Sequence, residues 1–535
     1  MAKPAVPFDL TGPLPSGTVV LEASAGTGKT YALAALATRY IAEGVTTLPQ
    51  LLLITFTRIA TGELRSRVYD RLLRCRGALS IALETGGLPS DPVDRLLASG
   101  PSDEVAQRLA RVDEALASID LATIATIHQF AGRMLTELGA LAHHDPLDRF
   151  KDDLTDLKHQ VAEDSYLANA PQMPYRDFQH LITQALENNL VPLSASEADA
   201  ALLPVVAQAR EEYARRKRRL RVYGYNDIME RLSRTLDGPE AKQAADALAA
   251  RFPVVLVDEF QDTDPEQWDI LRHAFLGRAT LVLIGDPKQA IYRFRGADVF
   301  AYLEAVRTAD AERTLPTNYR ADAPLVDAIS WLFAEANLGT PEQPISVPAV
   351  SAYHAGSRLS LTPAAELRVI DAPQALTVAT ARQRIDADLT RVVIDLLATT
   401  KLHPSDIAVL VSRNRRAEEV RAALTRAGIA AAIVSGAQSV LLSDAATAWL
   451  TLLEAVADAT PARVSRLAFS PLVGLNAAAI AADAELLLRL RAGLATAAVA
   501  FPESGPSALL EWLRTDYDLT PRVMNLPDGE RMLTD

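Results

Sequence analysis

The sequence predicts an α/β fold built on a parallel sheet whose strand ends carry nucleotide chemistry. Three stretches predict it. Residues 19–21 are a short apolar run, followed by a small-residue turn, then Lys29-Thr30 and a helix-forming run over 31–40. Pro253-Val-Val-Leu-Val257 is a second apolar run and ends in paired carboxylates, Asp258 and Glu259. Thr280-Leu-Val-Leu-Ile284 is a third and runs into Gly285-Asp-Pro-Lys-Gln289. Short apolar runs bounded by Gly, Pro and Asp read as buried parallel strands. In open sheets of that kind, ligands bind beyond the carboxyl ends of the strands.

Composition bounds the answer. At 535 residues the chain exceeds one core and suggests about three or four domains. Hydrophobic content of 49% with 23% charged residues is that of a globular protein. No apolar run reaches about 18 residues, so no membrane span is expected. Met-Ala-Lys-Pro-Ala-Val-Pro at the start lacks the apolar core of a signal peptide. The single cysteine, Cys75, excludes an intrachain disulfide and fits a reducing, cytoplasmic setting. A net charge of −13 argues against coating nucleic acid by bulk charge, but it leaves room for a local basic groove.

Taken in order, residues 1–18 hold four prolines and two glycines and read as an irregular lead-in. The turn that follows, Ala23, Ser24, Ala25, Gly26, Thr27 and Gly28, has the pattern of a phosphate loop. Backbone N–H groups of such a turn face inward at a helix N-terminus and hold phosphate oxygens. Lys29 then sits on the β and γ phosphates, and the Thr30 hydroxyl ligates Mg²⁺. The usual pattern opens with glycine; here a small residue, Ala23, stands in that place.

Leu51-Leu-Leu-Ile-Thr-Phe56 reads as another buried strand, and Ile59, Leu64 and Val68 have helical spacing after it. Residues 69–118 are helical in pattern, with a loop near 86–103. Residues 124–135 read as a short strand leading into a helix, with His128 read either as a DNA contact or as a satisfied histidine at the strand end. From about 137 to 250 the pattern is helical and polar. It contains Arg215-Arg-Lys-Arg-Arg-Leu-Arg221, either a solvated helix face or a contact with a nucleic-acid backbone.

At the second apolar run, Asp258 is placed to hold Mg²⁺ and Glu259 to orient and deprotonate a water. Gln289 lies just beyond the third, where it can sense a γ-phosphate. Tyr292, Phe294, Arg293 and Arg295 interleave rings and cations, which suits stacking on bases and holding phosphates of a single strand; taken alone the pattern is also compatible with core packing. Arg320, in Asn318-Tyr-Arg320, can stabilise charge developing on the γ-phosphate. Residues 339–373 read as a strand-containing linker. Helix is expected over 378–399, strand over 407–412, helix over 415–427, strand over 428–434 and Ala/Leu-rich helix over 444–535.

These segments resemble the ordered motifs of superfamily 1A helicases. Residues 23–30 resemble motif I, 55–68 motif Ia, 126–130 motif Ib, 257–262 motif II, 285–297 motif III and 318–320 motif IV. Glu22-Ala-Ser-Ala-Gly-Thr-Gly-Lys-Thr30, Asp258-Glu-Phe-Gln-Asp-Thr-Asp-Pro265 and the run from Ile284 to Asp298 are most similar to the beta subunits of exodeoxyribonuclease V, the RecB-type helicase–nucleases. The resemblance implies a RecA-like, UvrD-like motor domain 1A over 1–335. It would be interrupted by a helical insertion 1B (about 70–120 and 137–250) and followed by the first part of a second RecA-like domain 2A (336–443) and the start of a helical insertion 2B (444–535). It implies ATP and Mg²⁺ as cofactors, with Lys29, Asp258, Glu259, Gln289 and Arg320 as catalytic residues. It places single-stranded DNA over Thr55, Phe56, His128, Tyr292, Phe294 and Arg295. It also implies 3′-to-5′ movement, action at duplex ends, partner subunits, and work in double-strand break repair and recombination.

Two departures shape the expectation. Runs of the Thr-x-His-x-x-Lys-Gly-Leu type (motif V), a motif VI arginine and a nuclease domain are not found in these 535 residues. No glutamine stands upstream of the loop to read adenine; Pro13-Leu-Pro-Ser-Gly17 does. The chain alone is therefore expected to bind ATP, to hydrolyse it weakly or not at all, and to unwind little. The alternatives are a truncated DNA-binding or regulatory protein that binds ATP without unwinding, and a repair helicase of the UvrD or AddA type.

Overall fold

A computed structural model describes residues 6–142, 147–169, 173–187, 200–291, 298–341, 343–359, 361, 363–372, 374–434, 443–483, 485–526 and 529–534. It divides into two units, residues 1–366 and 367–535.

The first unit carries all eleven strands seen among the described residues. In chain order they are β1 (Val6–Pro7), β2 (Thr18–Glu22), β3 (Leu51–Thr55), β4 (Thr123–Thr126), β5 (Arg149–Phe150), β6 (Val222–Tyr223), β7 (Val254–Val257), β8 (Thr280–Gly285), β9 (Ala311–Thr314), β10 (Thr317–Asp322) and β11 (Ser351–His354). Seven form one sheet in the order β1-β9-β2-β8-β7-β3-β4, and every pair in it is parallel. Side chains alternate between the faces of a strand, so each strand feeds two cores. Leu52, Ile54, Val255, Val257, Leu281 and Leu283 pack on Phe130, Phe252, Trp268 and Phe275. Leu51, Leu53, Val254, Leu256, Val282 and Ile284 pack on the other face against Leu33, Leu36 and Tyr40. That double coverage explains why these strands are apolar throughout rather than alternating.

The helices follow the sequence with local corrections. The helix after β3 runs from Arg58 to Thr85, but Ile59 is 79% exposed and lies off its apolar stripe. The loop expected near 86–103 holds a short helix, Pro92–Ala98, with Asp91 accepting from the N–H groups of Val93 and Asp94. It is tied down by buried Arg71, whose guanidinium meets Asp94 at 2.5 Å and Asp91 at 3.0 Å. Between β4 and β7 lie the helices of an insertion with its own small core of Leu157, Val161, Phe178, Ile182 and Tyr213. The basic run sits on the helix Leu203–Leu220. There Arg215 pairs with Glu212, Arg216 with Asp164, and buried Lys217 with Asp227. Three of its cations are thus paired with carboxylates within residues 164–227.

In the second unit, helices from Asp444–Ala457 to Leu519–Met524 share a core of Leu452, Leu467, Leu490, Leu494, Leu509 and Leu513. The strands expected over 407–412 and 428–434 do not form among the described residues. Leu410 is 95% exposed and Val434 fully exposed. An apolar run becomes a strand only where neighbours take its N–H and C=O groups, and no strand lies beside it among the described residues of this unit. No helix among the described residues is long and apolar enough to cross a membrane.

Candidate nucleotide site at the ends of adjacent strands

β2, β8, β7 and β3 lie side by side. Their carboxyl ends therefore bring the turn after Glu22, the carboxylates after Val257 and the segment after Gly285 to one edge of the sheet. The turn is shaped by two glycines in the left-handed region, Gly26 (φ 79°) and Gly28 (φ 86°). Inside it the Thr27 hydroxyl donates to the Ser24 carbonyl at 2.7 Å. Ala23 is fully buried, and its N–H donates to the Gly285 carbonyl at 3.0 Å, so a small residue suits that place. Lys29 and Thr30 open the helix Lys29–Ala42 directly after Gly28.

Lys29 Nζ lies 2.9 Å from Glu259 Oε2. Glu259 itself is held at φ 50°, a region that non-glycine residues enter at a cost. Asp258 donates its N–H to the Ile54 carbonyl at 2.8 Å and accepts from the Glu259 N–H at 3.0 Å. Burial, with the Glu259 charge added, pushes the Asp258 carboxyl up to about 6. Asp262 is likewise pushed up to about 6 by burial and by Glu259.

These groups fit a hard divalent cation. A half-buried carboxyl whose charge is disfavoured is one that a cation would relieve. No cluster of three or more His, Cys, Asp or Glu suited to a metal occurs among the described residues. Mg²⁺ takes one or two protein oxygens and fills its shell with water and phosphate, so Asp258 and the Thr30 hydroxyl would be donors of the kind it needs.

Beyond β8, Gln289 Nε2 donates to Asp286 Oδ2 at 2.6 Å. Lys288 Nζ bridges Glu22 at 2.5 Å and Asp286 at 2.7 Å. Burial opposes its charge, but those two carboxylates outweigh it and hold Lys288 above the usual lysine range. Asn318 reaches across to the turn: its Nδ2 donates to the Ala25 carbonyl at 3.1 Å, and the Tyr319 N–H donates to the Gly26 carbonyl at 2.8 Å. Asn318 Oδ1 accepts from the Arg320 and Ala321 N–H groups, both at 2.9 Å. Arg320 is thereby seated beside the turn, with its side chain exposed.

The residues expected at DNA divide. Thr55 and Phe56 line a cavity of about 10 Å³ together with Asp258 and Glu259. Thr55 is only 2% exposed, so its hydroxyl faces the interior rather than a strand of DNA. His128 is half-buried, edge-on to Tyr225 at 5.8 Å, and burial lowers its pKa. Tyr292, Phe294 and Arg295 lie outside the described residues. Two side chains that sequence reasoning passed over complete the edge: Asn318, inside the quoted Asn-Tyr-Arg motif, and Gln261, inside Asp258-Glu-Phe-Gln.

Residues 11–310 match the UvrD/REP helicase N-terminal domain. The chain belongs to the UvrD/REP helicase family. It is 39% identical, over 99% of its length, to the RecBCD enzyme subunit RecB of Mycobacterium tuberculosis, of which it covers 50%. The RecB subunit of Mycolicibacterium smegmatis is 38% identical over 99% of the chain and is likewise covered to 50%. That of Escherichia coli K12 is 33% identical over 56% of the chain, which covers 27% of it. The chain thus spans about half the length of the mycobacterial relatives it matches.

Proposed function

We propose that this chain is the N-terminal motor portion of a RecB-type helicase subunit, an ATP-driven DNA motor acting within a multi-subunit complex on broken duplex ends. The observation that carries the reading is the contact of Lys29 with Glu259 beside Asp258, where β2 and β7 end on either side of β8. In this reading residues 1–335 are the first motor domain with its insertion, and 336–535 begin the second.

The N–H groups of the turn and Lys29 bind the phosphates of ATP. Thr30 and Asp258 hold Mg²⁺, which supplies neutralisation of phosphate charge when bound. Lys29 leaves Glu259 for the nucleotide, and Glu259 then accepts the proton of the attacking water. Gln289 and Arg320 meet the γ-phosphate. Phe56 and His128, with Tyr292, Phe294 and Arg295, carry the single strand, which moves in the 3′-to-5′ sense.

ATP hydrolysis with and without a single-stranded oligonucleotide, for the parent chain, Lys29→Ala and Glu259→Gln, tests this. The parent binds both ligands, and whatever turnover it has, weak or oligonucleotide-stimulated, disappears in both variants. Turnover that survives Glu259→Gln would overturn the assignment of the base. A parent that binds neither ligand would overturn the reading as a whole.

A further inference from the structure

Gln261 is 2% exposed, and its amide makes three hydrogen bonds. Nε2 donates to Glu259 Oε2 at 2.8 Å and to Asp262 Oδ2 at 3.4 Å, while Oε1 accepts from the Asp286 N–H at 2.9 Å. The orientation follows from chemistry. A backbone N–H can only donate and a carboxylate can only accept, so the oxygen must face Asp286 and the nitrogen Glu259. The space is made by Gly285. A Cβ there would lie 2.8 Å from Gln261 Oε1 and 3.1 Å from the Tyr302 ring.

Asp286 is held through both backbone and side chain, Lys288 Nζ meeting its carboxylate at 2.7 Å as well. Its backbone binds Gln261, and its carboxylate binds Gln289 Nε2 at 2.6 Å. Glu259 is held twice, by Lys29 at 2.9 Å and by Gln261 at 2.8 Å. Removal of Lys29 to a nucleotide would leave Gln261 as the group that fixes the Glu259 carboxylate. One buried amide therefore connects the glutamate beside the phosphate turn to the strand end that carries Gln289.

We infer that Gln261 is a positioning residue that locks Glu259 and the Asp286–Gln289 segment into one unit, so that a γ-phosphate is read at both together. The inference rests on the nucleotide reading above and deepens it. ADP, which engages the turn alone, should not depend on Gln261; a triphosphate should.

The test is the affinity of the 535-residue chain for Mg-AMP-PNP and for Mg-ADP, in the parent, Gln261→Met and Gln261→Glu. Met keeps the shape and loses every hydrogen bond. Glu keeps the acceptor for the Asp286 N–H but sets a charge against Glu259. The parent prefers the triphosphate analogue. Both variants bind ADP as the parent does and lose about ten- to a hundredfold of that preference, the size expected for a hydrogen bond to a charged group. Preference unchanged in folded variants overturns the inference, as does a parent that binds both nucleotides alike. A parent that binds neither overturns the nucleotide reading instead. Hydrogen exchange at the Asp286 amide of the parent gives an answer independent of variant folding: AMP-PNP slows it relative to ADP, and equal exchange overturns the inference.

Discussion

Gly26→Ala, set beside Gly28→Ala, isolates the contact that seats the Asn318–Arg320 strand on the phosphate turn. Both glycines lie in the left-handed region, at φ 79° and 86°. Each alanine therefore carries the same backbone penalty, about 1–2 kcal/mol. Their surroundings differ. A Cβ on Gly28 meets nothing nearer than Tyr31 Cβ at 3.9 Å, an ordinary contact. A Cβ on Gly26 would sit 2.7 Å from Asn318 Oδ1 and 2.9 Å from Arg320 Cβ, both inside van der Waals contact. The second of those atoms belongs to a stiff part of the chain, so the strand must shift or the turn must yield. Overpacking of that kind costs about 1–3 kcal/mol. Gly26→Ala should thus lose about 1–3 kcal/mol more than Gly28→Ala in urea unfolding followed by circular dichroism. Adding Asn318→Ala should return part of that difference, whereas its own cost should simply add to that of Gly28→Ala. Equal losses for the two glycines, or a greater loss at Gly28, would refute the packing of Asn318 and Arg320 on the turn.

Three further outcomes follow from named contacts. Glu266 is pushed up to about 7 by burial, then by Asp264, Glu230 and Asp269. Its folded pKa exceeds the unfolded one, so its contribution is full below the unfolded value and lost as pH rises through about 7. Glu266→Gln should therefore stabilise the chain by up to about 3 kcal/mol near pH 8 and by little near pH 4, read from unfolding midpoints across pH. Arg71→Ala leaves Asp94 and Asp91 facing each other at a largely buried site, and should cost about 3–5 kcal/mol in the same assay. Phe56→Ala should weaken binding of a single-stranded oligonucleotide by about 1–3 kcal/mol while leaving the salt dependence of binding unchanged, because stacking and phosphate contacts are separate contributions.

What the sequence made legible was local. The strand, turn and helix around Lys29 are contiguous, and each residue type there has one structural use. The carboxylates after Val257 were legible for the same reason. Contacts across long separations were not. Asn318 reaches Ala25 over 293 positions, and nothing in either segment announces the other. Gln261 carried no signal of its own because its partner is a backbone N–H 25 residues on. Apolar patterning also misled. Residues 407–412 have the composition of a buried strand, yet a strand is made by its neighbours, and Leu410 has none over it. Ile59 fits a helical repeat by number alone, because it falls in the first turn, before the helix meets its core.

Titration calorimetry of Mg-ATP into the parent chain and Lys29→Ala addresses the central claim most directly. The account predicts saturable binding by the parent that weakens at least about tenfold in Lys29→Ala, as the loss of a charged phosphate contact requires. Equal affinity in the two would contradict it, since the turn at Gly26–Lys29 would then hold no nucleotide.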